Sequence, residues 1–328
     1  MITKLQQIVD EARARGRRRL AVAYGQDSHT LQAVYNAYME GLVLPTIYGE
    51  KGVILDVCRA EGIDISDFTI INEADPVKCV NLAVQAVATG NADVLMKGLV
   101  STDKYMRGIL NKDAGLFPPK GTLSHVSVVE LPGFDRLLVI SDVAVIPMPD
   151  FKQKTVLVRY LTQVANSLGI ERPKLAVISC SEQLLPSVLS STEAAIIAKM
   201  GDRGQLGNVE IDGPLSLDVA MYTEAAEQKK VQGSHGVAGH ADCLLFPNIE
   251  SGNVFFKSAS HFGGAEIAAL VVGTKVPCVL TSRGGPRQAQ ALFHSLSLPI
   301  GQEINNAGFL GNLAASYLGG RHTGCLFS

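Results

Sequence analysis

No uninterrupted apolar run in the chain approaches the roughly 20 residues that a membrane helix needs, which excludes a helical span. The first twenty residues, MITKLQQIVDEARARGRRRL, lack an apolar signal core, so nothing in them points to export. Neither G-x-G-x-x-G nor an Asp-x-x-x-Asp helix pair occurs, and a dehydrogenase working with NAD and a divalent metal would need both a dinucleotide turn and clustered carboxylates. No Cys-x-x-Cys pair is present either. The six cysteines (Cys58, Cys79, Cys180, Cys243, Cys278, Cys325) are scattered, several of them in apolar runs, as expected of reduced, buried thiols in a cytoplasm. A large excess of charge of one sign is also missing. A net charge of -2 argues against nucleic acid or an anionic membrane as the main partner. Internal repeats and low-complexity segments are absent.

What is present is a chain of 328 residues, 47% hydrophobic and 18% charged, with 32 glycines and no tryptophan. That length exceeds what one core usually grows around, so two domains are expected. Residues 3–15 are predicted helical, followed by strand 20–24, helix 28–40, strand 44–48, helix 53–60 and strand 68–71. Asp75-Pro76 opens a clear helix, with Asp as N-cap and Pro at the first helical position. Val77, Val80, Val84 and Val87 form its core stripe and Gly90 closes it. Strand 92–96 comes next. Strands alternating with amphipathic helices imply right-handed βαβ units and a parallel sheet. The strands 126–131 and 137–140, separated by Pro132-Gly133, are predicted as a β-hairpin on the sheet's edge. The Pro-rich stretch Ile146–Asp150 is the best domain boundary. The first domain is taken as residues 1–145 plus about 286–328, the second as 146–285.

The stretch Val237–Arg283 organises the second domain. A buried strand at 241–246 ends at Pro247. The turn Asn248–Gly252 leads to Asn253, expected to cap a helix over 254–262. Two further strands follow, at 269–272 and 277–281, the second delivering Ser282-Arg283 to an edge where Gly284-Gly285 lets the backbone turn. A hydroxyl and a guanidinium at a strand's carboxyl end suit an oxyanion. The first domain carries a counterpart. Strand 92–96 runs through Lys97-Gly98-Leu99-Val100 into Ser101-Thr102, and either hydroxyl would cap helix 104–110, whose free N–H groups make an anion site. Arg107, one to two turns on, can reach round toward the same anion. The basic run Arg17-Arg18-Arg19 reads as a solvated connection.

Six segments, LMKGLVSTDKYMRGILNK, KGTLSHVSV, AKMGDRGQ, DGPLSLDVA, AGHADCLLFPNIESGNVFFKS and VVGTKVPCVLTSR, together resemble the phosphate butyryltransferase and phosphate acetyltransferase family, and the butyryl branch more closely. The resemblance covers roughly Leu20 to Arg283. It implies exchange of orthophosphate and coenzyme A on a short acyl group, either butyryl or acetyl, with acyl-CoA and phosphate as the small-molecule partners. It implies two α/β domains around a cleft, similar to the isocitrate and isopropylmalate dehydrogenases, and a homodimer. Ser101 and Arg107 match the family's S-T-x-x-x-x-R, Ser282 and Arg283 its catalytic Ser-Arg pair, and Lys257 the end of its G-N-x-x-Tyr-Lys. Ser101, Thr102, Arg107, Lys257 and Ser124 are the expected phosphate and substrate contacts. The chemistry so implied is positioning plus charge stabilisation, with no metal, no further cofactor and no covalent acyl-enzyme required.

Three departures from the family pattern stand out. The acetyl branch's Asp, six residues beyond the Arg, is Ala289 here, and no acidic residue precedes Glu303, which leaves the base for the thiol unassigned. His294 is a conceivable substitute. The family tyrosine before Lys257 is Phe256. The chain after Arg283 does not resemble the usual terminal helices, as a shifted reading frame near the 3′ end would produce, and sequencing the gene tests for a compensating frame. A homologue that binds CoA or acyl phosphate without turnover is the alternative that these departures raise.

Overall fold

The structure, a computed structural model, describes residues 1–119, 121–231 and 234–280. Helix α1 (Leu5–Ala14) precedes a run of alternating elements: β1 (Arg18–Ala23), α2 (Ser28–Met39), β2 (Val43–Gly49), α3 (Lys51–Glu61), β3 (Thr69–Asn72), α4 (Pro76–Ala88), β4 (Val94–Lys97) and α5 (Thr102–Ile109). Local chemistry sets several of these boundaries. Asp75 accepts from the N–H groups of Val77 and Lys78 at 2.7 and 3.1 Å, with Pro76 at the first helical position, as the sequence predicts. Asp27 caps α2 through the N–H of Thr30. β1, β2, β3 and β4 all run parallel, in the order β3-β2-β1-β4. The chain thus moves outward from β1 to β3 and then returns through α4 to the other side of β1. Alternate strand residues feed opposite faces: Leu20, Val22 and Met96 pack with α2 and α3, whereas Ala21, Ala23 and Leu95 pack with α4 and α5. The loops after β1 and β4 therefore diverge to opposite faces, and a crevice opens between the carboxyl ends of these two strands.

The strands β5 (Ser124–Glu130) and β6 (Leu137–Ser141) do form the predicted antiparallel hairpin, with Ser127 opposite Ile140. They do not lie at the edge. β5 is flanked by β10 (Glu266–Val272) and β6 by β9 (Cys243–Leu245), in the middle of the sheet. All five residues of β6 and six of seven in β5 are buried. An edge strand with one solvated face would alternate; near-continuous apolar sequence marks coverage on both faces.

Beyond the hairpin, α6 (Phe151–Ser167), β7 (Lys174–Ile178), α7 (Leu189–Asp202), β8 (Glu210–Leu215), α8 (Leu217–Met221) and α9 (Thr223–Gln228) lead into β9, α10 (Ile249–His261), β10 and the short β11 (Cys278–Val279). The described residues build one mixed eleven-stranded sheet, β3-β2-β1-β4-β11-β10-β5-β6-β9-β7-β8. Two parallel blocks, β3-β2-β1-β4-β11 and β6-β9-β7-β8, are joined through antiparallel β10 and β5. No helix of the described residues is long and apolar enough to cross a membrane.

Helix α10 starts earlier than expected. Its cap is Asn248, whose side chain accepts from the Ser251 N–H at 3.0 Å and from the Ser251 hydroxyl at 2.8 Å; Asn253 lies within the helix and donates to the Val143 carbonyl at 3.0 Å. The misleading residue is Gly252, which suggests a turn. Its role is close approach: a Cβ there would stand 2.3 Å from the backbone oxygen of Asp142, so only glycine lets α10 seat against the end of β6.

Candidate active site

The β4–α5 connection sits in the crevice between the ends of β1 and β4. Gly98 donates to Ala23 O at 2.9 Å and Leu99 to Tyr24 O at 2.8 Å, which lashes the connection to the end of β1. A side chain at Gly98 would place Cβ 2.5 Å from the Tyr24 oxygen, so this contact requires glycine. The Lys97 ammonium is buried and donates to the carbonyls of Gly98 and Val100 at 3.2 and 3.0 Å. Ser101 is the N-cap of α5, its hydroxyl accepting from the Lys104 N–H at 3.4 Å. Ser101 and Thr102 are both exposed. In a helix the N–H groups of the first turn have no intrahelical acceptor, and the helix dipole is positive at that end. A solvent-facing hydroxyl pair on such a terminus suits an anion.

The rest of α5 is anchored firmly. Tyr105, fully buried, places its hydroxyl 3.2 Å from Leu95 O on β4 and 3.3 Å from Val279 O on β11. Burial raises that phenol well above its ordinary value, so it stays protonated and donates. Gly108 lets the helix press onto α4, where a Cβ would meet Val80 Cγ1 at 2.3 Å. Arg107 points outward, and its Nε lies 3.1 Å from Asp103 Oδ1 in an exposed pair one turn apart. Exposed pairs of this kind contribute about 0–1 kcal/mol, so an anion at the helix start can compete for the guanidinium.

β11 continues the parallel block beside β4, with Val279 opposite Met96. Leu280 therefore follows at the carboxyl end of the sheet, next to Lys97. Ser282, Arg283, Ala289 and His294 lie outside the described residues.

A second polar cluster joins the ends of β5 and β6. Asp142 is buried, and its carboxylate accepts from Ser124 Oγ (2.8 Å), His125 N (3.2 Å), Ala144 N (2.8 Å), Val145 N (2.9 Å) and Ile146 N (3.2 Å). Ser124 is fully buried as well, so its hydroxyl supports Asp142 from within the fold. His125 is buried with Nδ1 3.4 Å from Ser127 Oγ, and its ring meets Phe256 edge-on at 6.5 Å. Desolvation lowers the His125 pKa below the ordinary 6.5, against a weaker opposing pull from Asp142, so the ring is neutral near pH 7. Phe256 thus serves as a packing surface. Lys257, next on α10, is exposed, with its ammonium 6.0 Å from the Phe256 ring centroid.

The structure brings Ser101, Thr102 and the α5 terminus together at one strand end, and it puts Ser124 and Lys257 in the separate setting of the β5–β6 ends and α10. Sequence reasoning gave no role to Lys97, Gly98 or Tyr105, and it took Gly252 for part of a turn. A lysine directly after an apolar strand, followed by glycine, is the one signal that could have flagged the first two. The basic run stays away from the crevice. Arg18 and Arg19 begin β1, at the opposite edge of the block from its carboxyl ends, and Arg19 forks onto Asp93 at 2.6 and 3.1 Å. Arg17 stacks over the Tyr38 ring at 4.8 Å.

These features define a class: a mixed α/β protein with a capped strand–helix turn, of a kind suited to an anion, at a topological switch point. Comparison with known proteins narrows it. The family described as "Phosphate acetyl/butaryl transferase" matches residues 76–290. The chain is 40% identical over 290 residues to a phosphate butyryltransferase of Clostridium acetobutylicum, covering 88% of this chain and 95% of that one. It is 37% identical over 294 residues to a phosphate acetyltransferase of Thermotoga maritima, covering 90% and 98%. A crystal structure of a branched-chain phosphotransacylase from Enterococcus faecalis superposes with a TM-score of 0.76 at 30% identity, over 88% of this chain and 99% of that one. The chain belongs to the phosphate acetyl/butyryl transferase family.

Proposed function

We propose that the protein is a phosphate acyltransferase that converts acyl-CoA and orthophosphate to acyl phosphate and CoA, with butyryl-like short acyl groups. A phosphate oxygen forms a bond to the thioester carbonyl carbon, giving a tetrahedral oxyanion. That intermediate collapses with cleavage of the C–S bond, and the CoA thiolate leaves and takes up a proton. The reverse direction is thiolate attack on the acyl phosphate with phosphate leaving. The observation that carries this reading is the Ser101-capped start of α5 at the β1–β4 crevice, a ready site for a phosphate in a chain of this family.

In this reading Ser101, Thr102 and the α5 terminus hold the phosphate, and Arg107 exchanges Asp103 for it. Ser282 and Arg283 stabilise the oxyanion, the arginine as a two-pronged donor. Lys257 contacts substrate from α10, and Ser124 acts through Asp142. The thiol's base stays unassigned. The architecture we propose is two lobes similar to isocitrate and isopropylmalate dehydrogenase, residues 1–145 with about 286–328 and residues 146–285, with β11 crossing back beside β4 and β10 lying between β11 and β5. A cytoplasmic homodimer completes the proposal, without metal or further cofactor.

Release of free thiol from acetyl-, propionyl- and butyryl-CoA on adding phosphate, followed with a thiol reagent, tests it. Phosphate-dependent release, fastest with butyryl-CoA, is expected; one methylene is worth about 1–3 kcal/mol of discrimination in an apolar pocket. Binding of CoA esters without any phosphate-dependent release would refute turnover.

A further inference from the structure

The buried Lys97 takes no part in the bond-making and bond-breaking steps of acyl transfer. Its ammonium, at the carboxyl end of β4, holds the carbonyl oxygens of Gly98 (3.2 Å) and Val100 (3.0 Å), so both oxygens turn inward. In a planar trans peptide the C=O and the following N–H point opposite ways. The Gly98–Leu99 peptide shows the consequence: its oxygen faces Lys97 and its N–H goes the other way, to Tyr24 O at 2.8 Å. The Val100–Ser101 peptide is likewise trans. With the Val100 oxygen on the ammonium, the Ser101 N–H points away from Lys97, on an exposed residue that caps α5.

We infer that Lys97 is a positioning residue of the phosphate site, fixing the Val100–Ser101 peptide so that the Ser101 N–H faces the bound anion while its own charge lies beneath. Without the clamp this peptide is free to flip, which would present the Val100 oxygen to the phosphate in place of a donor. The glycine at 98 fits this role, because a side chain there would push the connection off the Tyr24 oxygen and out of its present course. The inference rests on the reading that phosphate binds at the β4–α5 turn. It does not depend on turnover.

The test is calorimetric titration of inorganic phosphate into the full chain, wild type and Lys97→Gln, together with initial rates. Glutamine keeps a donor and removes the charge. The expected result is phosphate affinity weaker by at least about tenfold with the KM for butyryl-CoA within about twofold of wild type, a split that general loosening of the fold would not produce. Weakened phosphate binding in a wild-type background that shows no phosphate-dependent thiol release would support Lys97 and remove the acyltransferase reading. Equal phosphate affinity in the two proteins, or no phosphate binding by wild type, would overturn the assignment. If Lys97→Gln fails to fold by circular dichroism, Lys97→Arg decides. Its longer, wider guanidinium does not fit the buried place of the ammonium without shifting the two carbonyls, so phosphate should bind about threefold weaker or worse, and unchanged affinity would overturn the proposal.

Discussion

Arg107 and Asp103 show how little an interaction in the free protein says about the bound state. Both side chains are largely solvated, so their pairing contributes little to folding and holds the guanidinium near the start of α5. In the proposed complex the arginine trades a carboxylate for a phosphate of higher charge. Arg107→Ala is therefore expected to raise the KM for phosphate by about tenfold, whereas Asp103→Ala leaves it unchanged or lowers it. Initial rates against phosphate concentration measure both, and an unaffected Arg107→Ala would exclude the residue from the site. The cysteines give a second prediction at this scale. Burial pushes the Cys278 thiol up to about 12. It also pushes Cys79, helped by Glu73 and Asp75, to about 11. Cys243 is raised well above its ordinary value for the same reason. Only Cys180 is exposed among the described cysteines. Cys180→Ser should remove one equivalent of fast labelling by a thiol reagent, because the thiolate is the reacting species; unchanged fast labelling would contradict the burial pattern.

At the scale of elements, two helical glycines separate packing from propensity. Alanine at Gly52 in α3 would meet nothing within 4 Å. Helix propensity alone then predicts a gain of up to about 1 kcal/mol. Alanine at Gly252 in α10 would gain the same propensity but would drive Cβ against the Asp142 backbone oxygen. Overpacking of that kind costs about 3 kcal/mol, so the clash wins and Gly252→Ala should be destabilising. Denaturant melts of the two variants check both signs. The same glycine shows where sequence legibility stops. The alternation of strands and helices, the Asp75-Pro76 start and the Ser101 cap are visible because they are local chemistry, written in adjacent residues. Gly252 looks like a turn and the β5–β6 hairpin like an edge because their partners, Asp142 for one and β9 and β10 for the other, are distant in sequence. Lys97 escaped notice for the opposite reason: its acceptors are its immediate neighbours, but only the folded turn points their oxygens at it.

For the molecule as a whole, the cluster around Asp142 couples stability to pH. His125 is neutral when folded because burial lowers its pKa, and the unfolded chain titrates near 6.5. As pH falls through that value the unfolded state binds a proton that the folded state does not, so stability declines on acidification and is fully present above it. The slope is at most about 1.4 kcal/mol per pH unit for one such group. His125→Asn should flatten the dependence of the denaturant midpoint over about one pH unit to either side of the ordinary histidine value. An equally steep profile in the variant would assign the effect elsewhere. Both this cluster and the β4–α5 turn are built at strand ends of the same sheet.

The most direct test of the whole account is phosphate-dependent release of CoA from butyryl-CoA, compared between wild type and Ser101→Ala. Loss of the cap should cost about 1 kcal/mol of stability and leave a folded protein, so a change in rate reports on the site. The account predicts release by wild type that saturates with phosphate, and a markedly higher KM for phosphate in Ser101→Ala with the KM for butyryl-CoA little changed. Wild-type kinetics in the variant, with phosphate saturating at the same concentration, would contradict it.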